Sequence, residues 1–400
     1  MRKGILVLVL ACVVAPQAAG GSLPLPTRLA NALAVRGNAT DASGVVALDL
    51  QSGKVVFARH GDLPLAPASN EKLTVTYAAL EELGPDYRFS TEVLGNGEQT
   101  GATWHGNVYL KGFGDPTLDS LQLDRLATQL SLLGITRIDG RIVADESWFD
   151  SMRTAPGWKA EFYVNECPPL SALVANRAVY DGHVARLPAV AAAGVFRARL
   201  RAHGIAAGPV GEGVAPASAD VLAVVQSKPL PAIVEEMDET SDNFVAEMLL
   251  KDLGAQVGQA GTTAAGAAVV RRVLAAAGIP LAGVRIVDGS GLSLLDRLTP
   301  NAIVALLDSA WNDPALQHWL WAALPVAGET GTLEDRMEQG PARGTVRAKT
   351  GTTDDASALS GYVGDRYVFA ILQNGSPVSA TAARKAQDRF ATALASAVGQ

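Results

Sequence analysis

The sequence has few of the residues that build metal centres, disulfide frameworks or nucleic-acid surfaces. Its 400 residues include two cysteines, Cys12 and Cys167, and five histidines. The cysteines form no C-x-x-C pair, and the histidines lack the spacing of metal ligands. The formal net charge is −7, and no basic run offers the clustered lysine and arginine that phosphate binding needs. We therefore expect no structural zinc, no redox role for the cysteines and no nucleic-acid partner.

Three common catalytic motifs are also absent. The sequence contains no G-x-S-x-G elbow of an α/β-hydrolase, no H-E-x-x-H pair of a zinc peptidase and no G-x-x-x-x-G-K-[ST] phosphate loop. Folding can assemble a Ser-His-Asp triad from distant residues, but no pattern here points to one. With 48% hydrophobic and 18% charged residues, the chain is predicted to be globular.

A short apolar run lies at the N terminus. Met1-Arg2-Lys3 precedes about a dozen apolar residues and then the small residues Ala18 and Gly20, a pattern typical of a secretory signal peptide over residues 1–20. The alternatives are a buried N-terminal helix and lipid attachment at Cys12. No later segment reaches the 18 or so uncharged apolar residues of a membrane span. We therefore expect an exported protein, periplasmic or extracellular, with no transmembrane segment in the mature chain.

Strand-like and helix-like stretches alternate along the chain. Strand-like runs at 43–50 and 54–58 flank a Gly-containing turn and predict a hairpin, and three more lie at 344–351, 356–363 and 367–372. Apolar periodicity predicts helices over 26–35, 70–83, 121–133, 191–203, 218–225, 230–253, 262–277 and 380–398. We expect an α+β fold whose antiparallel sheet joins both chain ends.

Residues 90–181 differ from their surroundings, because short β-like runs there are punctuated by glycine. This texture predicts a separate, smaller β-containing module. We therefore predict that residues 21–92 and 227–400 form one catalytic domain, and that residues 93–226 form an accessory domain inserted within it.

Three short motifs carry the chemistry: Ser69-Asn70-Glu71-Lys72, Ser241-Asp242-Asn243 and Lys349-Thr350-Gly351. By chance, such a chain would contain about 0.5 S-x-x-K and about 0.6 S-x-N matches, but only about 0.05 K-T-G matches. The ordered trio is the pattern of class A β-lactamases and penicillin-binding proteins. Its presence predicts nucleophilic serine catalysis.

The residue types suit that chemistry. A helix places positions three apart on one face, so Lys72 can take the proton of Ser69 if its pKa is lowered by burial or nearby cations. The alternative role for Ser69 is a helix N-cap. Ser241 and Asn243 can relay the proton and hold the substrate amide. Lys349, with the hydroxyls of Thr350 and Thr352, can bind a substrate carboxylate.

The backbone around these residues has two further predicted roles. The N–H groups of Ser69 and Thr352 can form an oxyanion hole, and Gly351 permits close backbone approach. An edge strand carrying Lys349 could also pair with an extended peptide.

The chain resembles the D-alanyl-D-alanine carboxypeptidase/endopeptidase family (peptidase S13), which are low-molecular-mass penicillin-binding proteins. Beyond the trio, the resemblance rests on GFGDPTL at 112–118, APGW at 155–158, DGSGLS at 288–293, LPVAGETGTLEDR at 324–336, KTGT at 349–352 and LSGYV at 359–363. It covers nearly the whole mature chain.

The resemblance implies a penicillin-binding protein/serine β-lactamase-like domain, with helices on both faces of its sheet. It implies Ser69 as the acylated nucleophile, Lys72 as the base, Ser241 and Asn243 as the second element, and Lys349, Thr350 and Thr352 on the carboxylate and oxyanion side. Peptidoglycan stem peptides would be the substrates and β-lactams covalent inhibitors, without a metal or organic cofactor.

Three departures from the family pattern concern accessory features. The family's inner insertion is deleted or vestigial near 181–195, Leu294 stands where an arginine is common, and Thr353 replaces a bulky apolar residue. The last two bear on recognition of the stem-peptide side chain. Asp150 is a candidate for contacting a substrate amine, or else a solvated loop carboxylate.

Two other functions are compatible with these residues. One is a β-lactamase or esterase on the same fold, which would hydrolyse its penicilloyl ester quickly. The other is a catalytically idle peptidoglycan-binding scaffold, against which the intact Ser69, Lys72 and Lys349 argue.

Overall fold

The computed structural model describes residues 23–38 and 42–398. The predicted signal peptide and Cys12 lie outside the described residues. The helices are α1 Leu25–Leu33, α2 Lys72–Leu83, α3 Ser120–Leu132, α4 Phe162–Asn165, α5 Pro188–Ala202, α6 Leu230–Thr240, α7 Asn243–Gln256, α8 Thr263–Ala276, α9 Pro300–Asn312, α10 Gln317–Ala323 and α11 Ala380–Ala395. The strands are β1 Ser43–Asp49, β2 Lys54–Arg59, β3 Ser90–Thr100, β4 Thr103–Gly112, β5 Arg137–Ile138, β6 Ile142–Asp145, β7 Val179–Tyr180, β8 His183–Val184, β9 Ala206–Ala207, β10 Val210–Glu212, β11 Asp220–Gln226, β12 Val346–Thr352, β13 Ala356–Val363 and β14 Tyr367–Asn374.

A five-stranded antiparallel sheet joins the two ends of the chain, in the order β12-β13-β14-β1-β2. Alternate residues of β1 enter different cores: Val45 and Ala47 pack with α1 and α11, whereas Val46 packs with α2 and α9. This two-residue period follows from the pleat of a strand. The sheet is thus covered by helices on both faces, as predicted, and β12 lies at its edge.

A second sheet is built entirely from residues between 90 and 226, with the main order β10-β6-β4-β3-β11. Helices α3 and α5 cover one face, and their apolar residues form a separate core with Val93, Val108 and Leu110. The predicted β-containing module therefore has its own sheet and core. The domain boundaries at 92/93 and 226/227 remain predictions.

The helix predicted over 218–225 is wrong. The segment is strand β11, which pairs antiparallel with β3 from Asp220 to Gln226. Its buried residues alternate, Ala223 and Val225 facing the core, and the Gln129 side chain pairs with both backbone groups of Val224. Three of the eight residues, Val221, Val224 and Val225, are β-branched and suit a strand, so the local composition as well as the pairing with β3 favours the observed structure.

The continuous helical stretch predicted over 230–253 is two helices. Helix α6 ends at Thr240, and Ser241 adopts a left-handed conformation with φ 62° and ψ 41°. Asp242 then caps α7, accepting a hydrogen bond from the Val245 N–H at 3.1 Å. This break lies within the second catalytic motif.

None of the helices within residues 23–38 and 42–398 is long and apolar enough to cross a bilayer.

Candidate active site

Ser69 lies in a short 3₁₀ turn, Ala68–Glu71, directly before α2. The turn contains strain, since Ala68 has φ 47°. The Asn70 side-chain amide donates to the Lys349 carbonyl at 3.0 Å, which ties the turn to β12. Helix α2 has Glu71 at its N-cap position without a side-chain cap, so Ser69 does not serve as the cap.

Lys72 is fully buried at the start of α2. Its Nζ donates to Ser69 Oγ at 2.9 Å, to the Asn243 side-chain oxygen at 2.8 Å and to the Ser290 carbonyl at 2.7 Å. Burial lowers the pKa of Lys72 from 10.5 to about 8, and nearby carboxylates, Asp288 foremost, limit the shift. A pKa near 8 suits a general base that works close to neutral pH.

The second motif reaches this site through the break between α6 and α7. Ser241 lines the cleft beside Ser69, and Asn243 contacts Lys72 through Oδ1 while its Nδ2 donates to the Glu166 carbonyl at 3.0 Å. The central Asp242 forms an ion pair with Arg177. The motif is therefore held from α2 on one side and from the 166–177 region on the other.

The third motif lies on the edge strand β12. Lys349 is fully buried, and its Nζ donates to the Thr350 carbonyl at 3.1 Å. Burial, together with the charge of Lys72, lowers the pKa of Lys349 well below its usual value. Thr350 donates its hydroxyl to Thr332 at 2.8 Å, which places a further hydroxyl at the same wall.

Gly351 packs directly against the turn that carries Ser69. A Cβ at this position would lie 3.0 Å from the Ser69 nitrogen and 3.0 Å from the Pro67 carbonyl oxygen. This close approach explains the glycine, and it brings the backbones of β12 and Ser69 together as an oxyanion hole requires.

An open cleft of about 520 Å³ connects these elements. Its charged wall includes Arg336, whose guanidinium pairs with Asp388 at 2.6 Å, and Arg384, which donates weakly to the Thr352 hydroxyl at 3.4 Å. Arg384 forms no ion pair within the described residues. The cleft is lined by Ser69, Ser241, Thr332, Asp335, Arg336, Thr350, Gly351, Thr352, Arg384 and Asp388.

Five of these lining residues are not among the predicted site residues: Thr332, Asp335, Arg336, Arg384 and Asp388. The first three lie in the LPVAGETGTLEDR segment, which carries part of the family resemblance. Arg384 and Asp388 come from the C-terminal helix α11, where no motif marks them.

Five acidic side chains are fully buried around or beneath Lys72: Glu71, Asp238, Glu247, Asp288 and Asp296. Burial raises the pKa of Asp238 to about 6, although Lys349 and Lys72 oppose the shift. Burial and the Asp288 carboxylate raise the pKa of Glu247 to about 8. No group of three or more acidic, histidine or cysteine side chains is placed to hold a metal ion in the described part of the chain.

The structure does not bring Asp150 together with the other candidate residues. Its carboxylate pairs with the buried Lys251, and it lines a different pocket with Phe149 and Glu146. Thr353, by contrast, lines a pocket of about 430 Å³ that adjoins Thr352. Leu294 is 46% exposed.

Comparison with known proteins identifies the family to which the chain is similar. The model of the D-Ala-D-Ala carboxypeptidase 3 (S13) family matches residues 25–190 and 184–397. The chain is 33% identical over 442 residues to D-alanyl-D-alanine carboxypeptidase of Actinomadura sp. (strain R39), covering 89% of this chain and 82% of that protein. It is 32% identical over 375 residues to a carboxypeptidase of Mycobacterium tuberculosis, covering 86% and 78%.

The crystal structure of penicillin binding protein 4 from Haemophilus influenzae matches with a TM-score of 0.80, over 90% of this chain and 97% of that one, at 22% identity. This match confirms the predicted fold class.

Proposed function

Because the chain belongs to the D-Ala-D-Ala carboxypeptidase 3 (S13) family and is a serine-type, penicillin-binding DD-peptidase, we propose that Ser69 is its acylated nucleophile and Lys72 its general base. One observation carries the proposal: Lys72 Nζ lies 2.9 Å from Ser69 Oγ while its other two donors are engaged.

Those two other contacts determine the direction in which the lone pair of the Lys72 amine points. Asn243 Oδ1 and the Ser290 carbonyl are both acceptors, so each needs an N–H from Lys72. A neutral amine has two N–H bonds and one lone pair. When both N–H bonds point at these acceptors, the lone pair points at Ser69, where it can take the hydroxyl proton.

Acylation then balances as follows. Ser69 Oγ attacks the carbonyl carbon between the last two residues of a stem peptide, and Lys72 takes the serine proton. The backbone N–H groups of Ser69 and Thr352 hold the developing oxyanion. The C–N bond breaks, and the proton reaches the leaving amine through Lys72 or the Ser241 hydroxyl. Water later attacks the ester carbonyl and loses a proton to Lys72. The bond between the acyl carbon and Ser69 Oγ then breaks, Lys72 returns the proton to Ser69 Oγ, and the shortened peptide leaves with a new carboxylate.

The substrate's terminal carboxylate would lie against β12. Lys349, Thr350 and Thr352 supply the cation and the hydroxyls for it, and the overall negative charge of the protein makes these local groups the source of attraction. Carboxypeptidase and endopeptidase action share this chemistry and differ in what the leaving amine is attached to. With a β-lactam the broken amide is in a ring, so the amine stays tethered in the ester.

This function fits export. We propose that residues 1–20 are a signal peptide and that the enzyme works outside the cytoplasm, where peptidoglycan lies. We also propose that residues 93–226 form an accessory domain beside the catalytic one.

Labelling with a fluorescent penicillin tests the proposal. The wild type should form a stable adduct on the peptide that contains Ser69, and Ser69→Ala should form none. Lys72→Ala should lose most of the labelling rate, whereas Lys54→Ala, at an exposed lysine, should label normally. Equal labelling of wild type and Ser69→Ala would refute the assignment, and absence of labelling in the wild type would favour an idle scaffold.

A further inference from the structure

The loop Asp288–Ser293, with sequence DGSGLS, is wedged between the nucleophile turn and α7. A Cβ on Gly291, which has φ +80°, would lie 1.9 Å from the Ala68 carbonyl oxygen, and a Cβ on Gly289 would lie 2.6 Å from that of Ala246. Only glycine fits at these two points. The backbone of the loop therefore lies in direct van der Waals contact with the backbone of the turn that carries Ser69.

The loop presents one backbone carbonyl to the catalytic lysine. Ser290 O accepts from Lys72 Nζ at 2.7 Å, the shortest of the three contacts of that amine. The side chain of Ser290 points elsewhere, donating to Asp288 at 3.2 Å. The contact with Lys72 thus depends on the orientation of the loop backbone and not on a serine hydroxyl.

Glu247 of α7 holds that backbone in place. A single oxygen of its buried carboxyl accepts the N–H of Gly289 at 3.0 Å and the N–H of Ser290 at 2.8 Å. Its other oxygen has no hydrogen-bond partner in the described structure. The Ser290 N–H is therefore hydrogen-bonded to Glu247, while the Ser290 carbonyl faces Lys72.

The far half of the loop is fixed by a second carboxylate. Asp288 accepts the N–H groups of Gly291 at 2.8 Å and Ser293 at 2.7 Å. It is itself held by the Trp158 indole N–H at 2.8 Å. The APGW and DGSGLS segments, which the proposed mechanism otherwise leaves unused, are thereby joined beneath the site.

We propose that this loop is a fourth element of the acylation machinery and that Glu247 is its positioning residue. By orienting the Ser290 carbonyl, Glu247 determines where one N–H bond of the Lys72 amine points. It thereby helps to direct the lone pair of that amine toward Ser69. This inference rests on the proposed function, because it assigns Glu247 a role only through Lys72. Glu247 itself touches no substrate.

The properties of Glu247 suggest which substitutions separate its roles. Burial and the Asp288 carboxylate raise its pKa to about 8. A glutamine keeps its shape and an oxygen for both N–H groups, whereas leucine keeps the volume and offers no acceptor. Aspartate keeps the carboxyl but withdraws it by one methylene.

The test measures the limiting acylation rate and the dissociation constant of the noncovalent penicillin complex separately. Glu247→Leu should lower the limiting rate about 10- to 100-fold, a loss comparable to that caused at metal sites by removing the hydrogen-bond partner of a metal ligand. The dissociation constant should stay within about twofold. Glu247→Gln should restore the rate to within about threefold of wild type. If Glu247→Leu does not fold, Glu247→Asp takes its place and should show the same loss of rate.

A matched control comes from the same helix. Asp252 is also fully buried on α7 and also accepts two hydrogen bonds, from Trp148 and Tyr87. Asp252→Leu should lower the melting temperature without changing the limiting rate. A folded Glu247→Leu or Glu247→Asp enzyme with the wild-type limiting rate, or a Glu247→Gln enzyme as slow as Glu247→Leu, would overturn the inference. A wild type that is not acylated at Ser69 would instead overturn the proposed function.

Discussion

The pH dependence of acylation follows from the burial of Lys72. Desolvation lowers its pKa to about 8, against the attraction of Asp288, Asp238, Glu247 and Asp242 for the ammonium form. Only the neutral amine can accept the proton of Ser69. With a pKa near 8, the neutral fraction is about 1% at pH 6, about 9% at pH 7 and about half at pH 8.

The limiting acylation rate should therefore rise about ninefold from pH 6 to pH 7 and about 50-fold from pH 6 to pH 8, then level off. Stopped-flow measurement with a saturating chromogenic cephalosporin gives this rate without the binding step. The pKa of Lys349 is lowered as well, so its loss of charge at higher pH should weaken capture of the substrate carboxylate. That second effect appears in KM rather than in the limiting rate.

A charge-removing variant checks the cause. Asp238 raises the pKa of Lys72, so Asp238→Asn should move the midpoint of the limiting rate to lower pH. Asp252→Asn, which removes a buried acid that is not among the groups acting on Lys72, should leave the midpoint unchanged. A limiting rate that is flat between pH 6 and pH 8, or a midpoint that moves upward in Asp238→Asn, would refute the role of Lys72 as the base.

Three further variants test the walls and supports of the site. Arg384 lines the cleft beside Thr352 and forms no ion pair within the described residues, so its guanidinium can bind the terminal carboxylate of a substrate. Arg384→Gln should therefore lower kcat/KM about tenfold, roughly the worth of one hydrogen bond to a charged group, for peptides with a free terminal carboxylate but not for their C-terminal amides. Lys385→Gln on the same helix is the control, and equal effects of Arg384→Gln on both substrates would contradict this role. Arg177→Gln and Asp242→Asn should each slow acylation measured on the high-pH plateau, where the Lys72 amine is neutral in every variant and its pKa no longer affects the rate. The double variant should show a coupling energy of about 0.5 to 3 kcal/mol. Additive effects would mean that the ion pair does not hold the second motif. Asp150→Asn should destabilise the fold by about 1 to 3 kcal/mol, because a buried lysine loses its charged partner, and leave acylation within about threefold; a loss confined to amine-bearing stem peptides would instead support contact with a substrate amine.

The parts of the site that the sequence predicts are those set by local geometry. Ser69 and Lys72 are one helical turn apart, and the structure places them 2.9 Å from each other. Lys349 lies on a strand recognisable from its own residues, and the position of that strand at the sheet edge follows from the strand order. Such short-range relationships can be predicted from the sequence because they depend only on the periodicity of the local backbone.

The remaining parts depend on contacts between distant segments. The Ser290 carbonyl is a backbone group 218 positions from Lys72, and no residue type signals such an acceptor. Arg384 reaches the cleft only because α11 packs against the central sheet. Asp150 was selected by its neighbourhood in the sequence, and the fold instead directs it to Lys251.

Three turns beside the motif residues adopt backbone conformations that their residue types disfavour. Ala68, Arg177 and Ser241 all have positive φ, at 47°, 55° and 62°, and each lies next to or contacts a motif residue. A left-handed residue other than glycine costs roughly 1–2 kcal/mol, so these turns need external support. The N-cap of Asp242, its pairing with Arg177 and the tie from Asn70 to β12 supply that support. The cost is concentrated where the chain must turn sharply to point Ser69, Ser241 and Asn243 at one space, as expected when strain is part of an active-site arrangement.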